Sequence, residues 1–316
     1  MHLTIAYFTS RKNPAIKWFF DSLNRETGGD YTKIRVVVVD FWAKNRTECV
    51  DDIAHGSERI VAGGGACYCT PPKPTVWQGE HKLTKEDWFA ASNARNTAVC
   101  LAPDGWIAFV DDVSVLLPGW LKQVREAMAG DQKTVTLGAY RKVKDLVVEN
   151  GNVVGFTDHP GGHDNRFGHG SDDQGVDCAG NWLYGCSLVA PVQAFLDING
   201  WPEAWCDGLS FEDCICGIML SKKGYSFRYV RSMMTYESEE LHAQLPIMKR
   251  SDYGVSPNDK SHAVLHAARS GNGWHPNYFG EEGISGLRAR ILAGEKFPIV
   301  QIPEHEFYTG TPLKDL

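Results

Sequence analysis

No stretch of about 18 consecutive apolar residues occurs in the 316-residue sequence, so nothing in it reads as a membrane-spanning helix. The opening segment, MHLTIAYFTSRK, is a strand with a polar end and lacks the charged, apolar and small-residue regions of a secretory leader. Basic charge is in deficit too: 32 Lys and Arg face 39 Asp and Glu, a formal net charge of -7. That balance argues against a surface coated for nucleic acid and leaves room only for a local basic patch. Cysteine is present without a framework. Nine is an odd count, and Cys67-Tyr-Cys69 and Cys214-Ile-Cys216 lack the two-residue gap of a zinc knuckle. Reduced thiols in the core, and a cytoplasmic or equivalent compartment, are therefore expected. No internal repeat is visible. What remains, 43% hydrophobic and 22% charged, is enough for one large α/β domain or for one domain with an extension.

Along the chain the pattern is β-α-β. Leu3 to Phe8 is a strand, Asn13-Pro14 opens a helix running to about Arg25, and Ile34 to Val39 is a β-branched run of the kind covered on both faces, ending in Asp40. Right-handed crossover packing gathers Thr9, Ser10, Arg11 and Asp40 at the carboxyl edge of a parallel sheet, where open α/β sheets bind ligands. Residues 46–78, rich in glycine and proline, are expected to form an irregular loop with at most one short strand. Thr84 to Asp87 resembles a capping box for a helix reaching Ala102. Strands are expected over Gly105–Val110, Val135–Tyr140, Trp182–Val189 and Tyr225–Val230, and helices from Pro118 to Met128, Pro191 to Leu196 and Glu212 to Lys222. A hairpin turns at Asn150-Gly151. His159, His163, Asp164 and His169 lie in a polar segment that is either a mobile loop or a metal site. The periodicity fades after His242, which divides the chain into a domain over 1–245 and an extension over 246–316 packed on it.

Two stretches carry chemistry. In Gly105–Leu121 a buried run, Trp106 to Val110, ends on Asp111 and Asp112. Adjacent carboxylates cost stability unless a cation or hydrogen-bond donors offset them, so the doublet either caps a turn or invites a divalent metal. In Asn199–Tyr225, Gly and Pro punctuation delivers Glu212 and Asp213 to a helix start, where the helix dipole favours their charged form.

Ser92–Ala102 (SNARNTAVCLA), the acidic stretch and Asn199–Tyr225, in that order, resemble the nucleotide-sugar glycosyltransferases of the GT-A fold, both the family-2 group and the beta-1,4-galactosyltransferase-like group. The resemblance covers roughly the first three quarters of the chain. It implies an α/β fold with a Rossmann-like, mostly parallel central sheet flanked by helices. It assigns Asp40 to a uracil or ribose, with Thr9 and Arg11 beside it; Arg95, by its own chemistry, either contacts phosphate, holds the acidic doublet or forms a structural ion pair. It makes Asp111 and Asp112 metal ligands, although Val113 stands where the second acid of the motif is usual. His242, 29 residues beyond Asp213, is then a compensating ligand for Mn²⁺ or Mg²⁺, with Glu239 one turn earlier. Asp213 becomes the general base and Glu212 a partner of sugar or acceptor hydroxyls. From residue type alone, Trp182, Trp201 and Trp205 either offer ring faces to a sugar or belong to the core.

The implied activity is metal-dependent, inverting transfer of a hexose from a UDP-sugar to the hydroxyl of a soluble glycan or protein. The alternative acceptor is a hydroxymethylated base of the 5-hydroxymethylcytosine type in DNA, with Trp77, Trp88, Arg141, Lys142, Lys144 and Arg166 as available aromatic and basic groups. Two other classes remain. A nucleotidyltransferase should carry a glycine- and lysine-rich phosphate loop where Thr9-Ser10-Arg11-Lys12-Asn13 stands, and a non-catalytic sugar-binding module would have no need of Asp213.

Overall fold

In the computed structural model, which describes residues 1–75, 90–170, 174–203, 211–243, 265–266, 269–270, 279 and 281–298, the run LTIAYFT forms a central strand β1 (Leu3–Thr9), buried along its whole length. Alternate side chains feed two separate cores. Ala6 and Phe8 join one, and Ile5 and Tyr7 join the other, so both faces must be covered by helices. Helices α1 (Ile16–Thr27) and α2 (Val50–Ala62) cover the Tyr7 face. Helix α3 (Ala91–Leu101) covers the Phe8 face.

Strands β2 (Ile34–Asp40), β3 (Ala66–Thr70) and β4 (Trp106–Asp111) extend β1 in parallel, in the order β3-β2-β1-β4. After β4 come the short β5 (Ser114–Leu116), α4 (Trp120–Ala129), and the long hairpin of β6 (Thr134–Glu149) and β7 (Asn152–His163). The hairpin turns at Asn150 and Gly151, both at positive φ, as its Asn-Gly pair demands. Then follow β8 (Val176–Cys178), β9 (Ser187–Pro191), α5 (Val192–Asp197), α6 (Glu212–Lys222), β10 (Ser226–Ser238) and the single turn α7 (Glu239–His242). The ten-stranded sheet continues β4-β9-β6-β10-β5. It is mixed: β9 runs antiparallel to both β4 and β6, whereas β6 and β10 are parallel. The expected parallel pairing therefore holds through β3-β2-β1-β4 and returns between β6 and β10, with β9 antiparallel between the two.

Three local expectations change. Residues 46–78 contain α2 and β3. Helix α2 buries only Gly56 and Ile60, too narrow a stripe to announce a helix, and β3 is an edge strand that leaves Tyr68 exposed. The polar segment after His159 is structured: β7 runs to His163, and Asp164 and Arg166 are buried. The last strand continues past Val230 through a bulge to Ser238. The proposed capping box at Thr84–Asp87 lies outside the described residues, as does most of 246–316. Within the latter, helix α8 (Gly283–Leu292) sends Ile284, Leu287 and Ile291 into the α3 core, and Arg288 Nε donates to Ala102 O at 2.9 Å. Among the described residues no helix is long and apolar enough to cross a membrane.

Candidate active site

The register of the parallel strands brings their carboxyl ends level: Thr9 pairs with Asp40, and Phe8 with Asp111. Side chains that leave these ends meet at one edge, but they meet two different fates. Asp112 is drawn inward. Thr9 Oγ1 donates to its Oδ2 at 2.6 Å and Arg11 Nε to its Oδ1 at 3.0 Å, and the side chain is only 9% exposed. Arg11 also donates to the carbonyls of Leu241 and of His242, the latter at 3.0 Å, which ties α7 to β1. Asp40 is fully buried and forked by Arg46, with Nη2 at 2.6 Å, while the Trp42 N–H donates to Oδ1 of the same carboxylate at 2.9 Å. Both oxygens that were expected to meet a uracil or ribose are engaged by Arg46, a residue with no motif to announce it.

Asp111 takes the other course. Its side chain is 30% exposed, and its Oδ1 has no hydrogen-bond partner, with Arg95 Nη2 3.6 Å away. Its recessed position raises its pKa to about 6; Arg95 opposes the shift, and Asp213 and Asp112 add to it. Val113 follows at φ 54°, an unusual conformation for a β-branched residue, held by its N–H to Pro14 O and by Ser238 N–H to its own carbonyl. The side chain is fully buried, so the position of the missing second acid points into the core.

Asp213 reaches the same edge from α6. That helix packs so closely on the segment after β8 that a Cβ on Gly217 would lie 1.9 Å from Gly180 O. Asp213 Oδ1 accepts from Arg95 Nη1 at 2.9 Å and Oδ2 from the Gly185 N–H at 3.0 Å. Arg95 lies fully buried between the rings of Phe8 and Trp201, at 4.9 and 4.4 Å, and bridges Asp213 to Asp111. A side chain at 185 would collide with the guanidinium, since a Cβ there would lie 1.8 Å from Nη2. Glu212, beside the base candidate, is raised to about 8 by burial and by the Asp213 charge, so the two neighbouring acids do not both ionise at neutral pH.

A third acid escaped the sequence reading. Glu237, near the end of β10, is 2% exposed, and its Oε1 has no hydrogen-bond partner. Burial and the Asp111 charge raise it to about 8, with Lys142 opposing. The signal available was an acid interrupting a strand, and it was hidden because the strand ran further than its apolar run. His242 behaves differently from expectation: its Nε2 lies 2.8 Å from Lys142 Nζ, and burial, Lys142 and Arg11 lower its pKa to about 4. Asp111, Asp112 and His242 do not converge as one ligand set, and among the described residues no group of three or more His, Cys, Asp or Glu could hold a metal. The orphaned oxygens of Asp111 and Glu237 fit a cation of the Mg²⁺ or Mn²⁺ class that takes one or two protein carboxylates and fills its other positions with phosphate oxygens and water.

The tryptophans separate. Trp201 is fully buried, stacked on Phe195 at 5.5 Å with Arg95 on its ring, so it is a core residue and presents no face to a sugar. Trp182 is half-buried against His169 and Tyr229, and Trp205 lies outside the described residues. His159 stands 3.8 Å from Glu239, and Asp164 is held by Arg166; among the described residues of the polar segment no group of three His, Cys, Asp or Glu could hold a metal.

No protein-family model and no curated protein matches the sequence. Solved structures do. S. aureus TarS residues 1–349 with UDP-GlcNAc matches at a TM-score of 0.53 and 14% identity, over 92% of this chain and 72% of that one. GalNAc-T7 with UDP, GalNAc and Mn²⁺ matches at 0.56 and 10%, over 98% of this chain and 54% of that one. A longer TarS chain is covered over 43% of its length. Both proteins are UDP-sugar glycosyltransferases of the GT-A type, and the fold described above, with its level edge of strand ends, is the GT-A fold.

Proposed function

We propose that this chain is a glycosyltransferase that moves a hexose from a UDP-sugar to an acceptor hydroxyl with inversion, assisted by a divalent cation. The observation that carries the reading is the Asp111–Arg95–Asp213 bridge, which sets a strand-end acid and a helix-start acid on either side of one buried guanidinium. In this reading Asp213 accepts the proton of the acceptor hydroxyl as that oxygen attacks the anomeric carbon. The bond to the diphosphate breaks on the opposite face, UDP leaves and the configuration inverts. Arg95 is a positioning residue that fixes the direction of the Asp213 carboxylate, and Glu212, protonated at neutral pH, is a hydrogen-bond donor for sugar or acceptor oxygens. Asp111 and Glu237 would hold the cation, which when bound offsets the charge that develops on the departing diphosphate.

The fold shared with TarS and GalNAc-T7, crystallised with UDP-GlcNAc and with UDP, GalNAc and Mn²⁺, supports the donor class. We assign catalysis to residues 1–245, with 246–316 as an extension, a division supported by the packing of α8 on α3. The odd count of nine cysteines supports a reducing compartment such as the cytoplasm. The modified-DNA acceptor draws less support: Arg166 is buried, Lys142 contacts His242, and Trp77 and Trp88 lie outside the described residues. Incubation with Mn²⁺ and a panel of UDP-sugars should release UDP slowly from one of them, with calorimetric binding of the same compound. Neither release nor binding across the panel would end the donor assignment.

A further inference from the structure

A cavity of about 180 Å³ opens on the β6–β7–β10 side of the sheet, lined by Tyr140, Arg141, His163, Phe167 and Tyr236 among others. It is connected to the base candidate by aromatic rings. The Tyr140 ring meets Tyr184 edge-on at 6.1 Å, and Tyr184 precedes Gly185, whose N–H holds Asp213. On its outer side Tyr236 meets Phe156 edge-on at 5.3 Å, and Phe156 is 41% exposed on β7. Arg141 lies over both outer rings, at 5.3 Å from Phe156 and 5.7 Å from Tyr236, and its Nη1 donates to the Tyr236 hydroxyl at 3.2 Å.

We infer that this track is the acceptor subsite and that it takes a neutral oligosaccharide, one ring in the cavity and the next against Phe156 and Tyr236. The inference rests on the glycosyltransferase reading and specifies its acceptor. Two observations select the occupant. Ring faces and edges beside fixed polar groups suit the apolar faces and equatorial hydroxyls of pyranoses. The charges favour a neutral ligand: Arg141 is already paired with Asp158, Arg166 with Asp164, and Glu239 stands 3.8 Å from His159. A polyanion such as a nucleic acid needs a surplus of cations along its path, and every cation named here already has an acidic partner.

The test uses the full chain with UDP and Mn²⁺ present, and calorimetry with glucose, cellobiose and cellotriose, with the corresponding N-acetylglucosamine series, and with oligothymidylate. Affinity should rise with the number of sugar rings in one of the two series. Phe156→Ala, at an exposed strand position, should weaken the trisaccharide of that series about tenfold and the monosaccharide less than about twofold. Arg141→Gln should give a similar length-dependent loss, which guards against a purely local effect at Phe156. Equal affinity for all lengths, no saccharide binding, or binding of oligothymidylate tighter than of any saccharide would each overturn the inference. Binding of UDP by the unaltered protein is read in the same experiment. Its absence removes the glycosyltransferase reading, whereas its presence with a flat saccharide response removes only the acceptor subsite.

Discussion

The acids at the sheet edge fall into two regions that treat charge in opposite ways. On the β2–β1 side every carboxylate is answered: Asp40 by Arg46, and Asp112 by Thr9 and Arg11. Toward α6 and β10 the carboxylates outnumber their partners. Asp111 and Glu237 each keep a buried oxygen without a hydrogen bond, and burial raises Asp111, Glu212 and Glu237 to about 6, 8 and 8. A buried acid answered by a cation holds distant segments of the chain together, and removing either partner leaves an uncompensated charge. One that keeps an unbonded oxygen costs stability that a ligand or cation recovers on binding, which is why strain of this sort gathers at functional sites.

Substitutions can break this contrast. The largest effect is expected for Asp213→Asn, which keeps the shape of the side chain and removes the base: transfer should fall by about 10²- to 10⁴-fold while calorimetric UDP binding persists. Arg95→Lys comes next. Lysine cannot fork to Asp111 and Asp213 together, so kcat should fall about tenfold with a smaller change in donor KM, read by steady-state kinetics. The smallest effect is on stability. Glu212 has a folded pKa of about 8, above its unfolded value, so its contribution is fully present below the unfolded pKa and is lost as pH rises through about 8. Thermal unfolding should therefore show the native protein losing more Tm between pH 6 and pH 9 than Glu212→Gln does, by about 2–4 °C.

The sequence made one region more legible than the other. The strands β1, β2 and β4 and the helix α6 stood out because continuous β-branched runs and cap punctuation are local signals, and the approach of Asp111, Arg95 and Asp213 follows once these elements are stacked. Partners from distant segments were hidden. Nothing near Asp112 reveals that Thr9 and Arg11, more than 100 positions earlier, take its oxygens. Lys142 stands 100 positions before His242, and Glu237 lies beyond a bulge between Val230 and Met234, where Arg231 and Ser232 interrupt the apolar run. Trp201 looked available to a sugar only because burial of a large ring has no sequence mark of its own.

The most direct test sets Asp111→Asn beside Asp112→Asn and measures UDP binding with Mn²⁺ by calorimetry together with thermal stability. The acid that keeps an unbonded oxygen and only a 3.6 Å ion pair should matter for the ligand: Asp111→Asn should weaken UDP binding by about tenfold or more and leave Tm close to that of the native protein. The paired acid should matter for the fold: Asp112→Asn leaves Arg11 buried without its countercharge, so it should lose about 3 kcal/mol of stability while its folded fraction binds UDP as before. If Asp112→Asn abolishes UDP binding at unchanged Tm, and Asp111→Asn binds normally, the division between hydrogen-bonded acids and acids with an unbonded oxygen is contradicted.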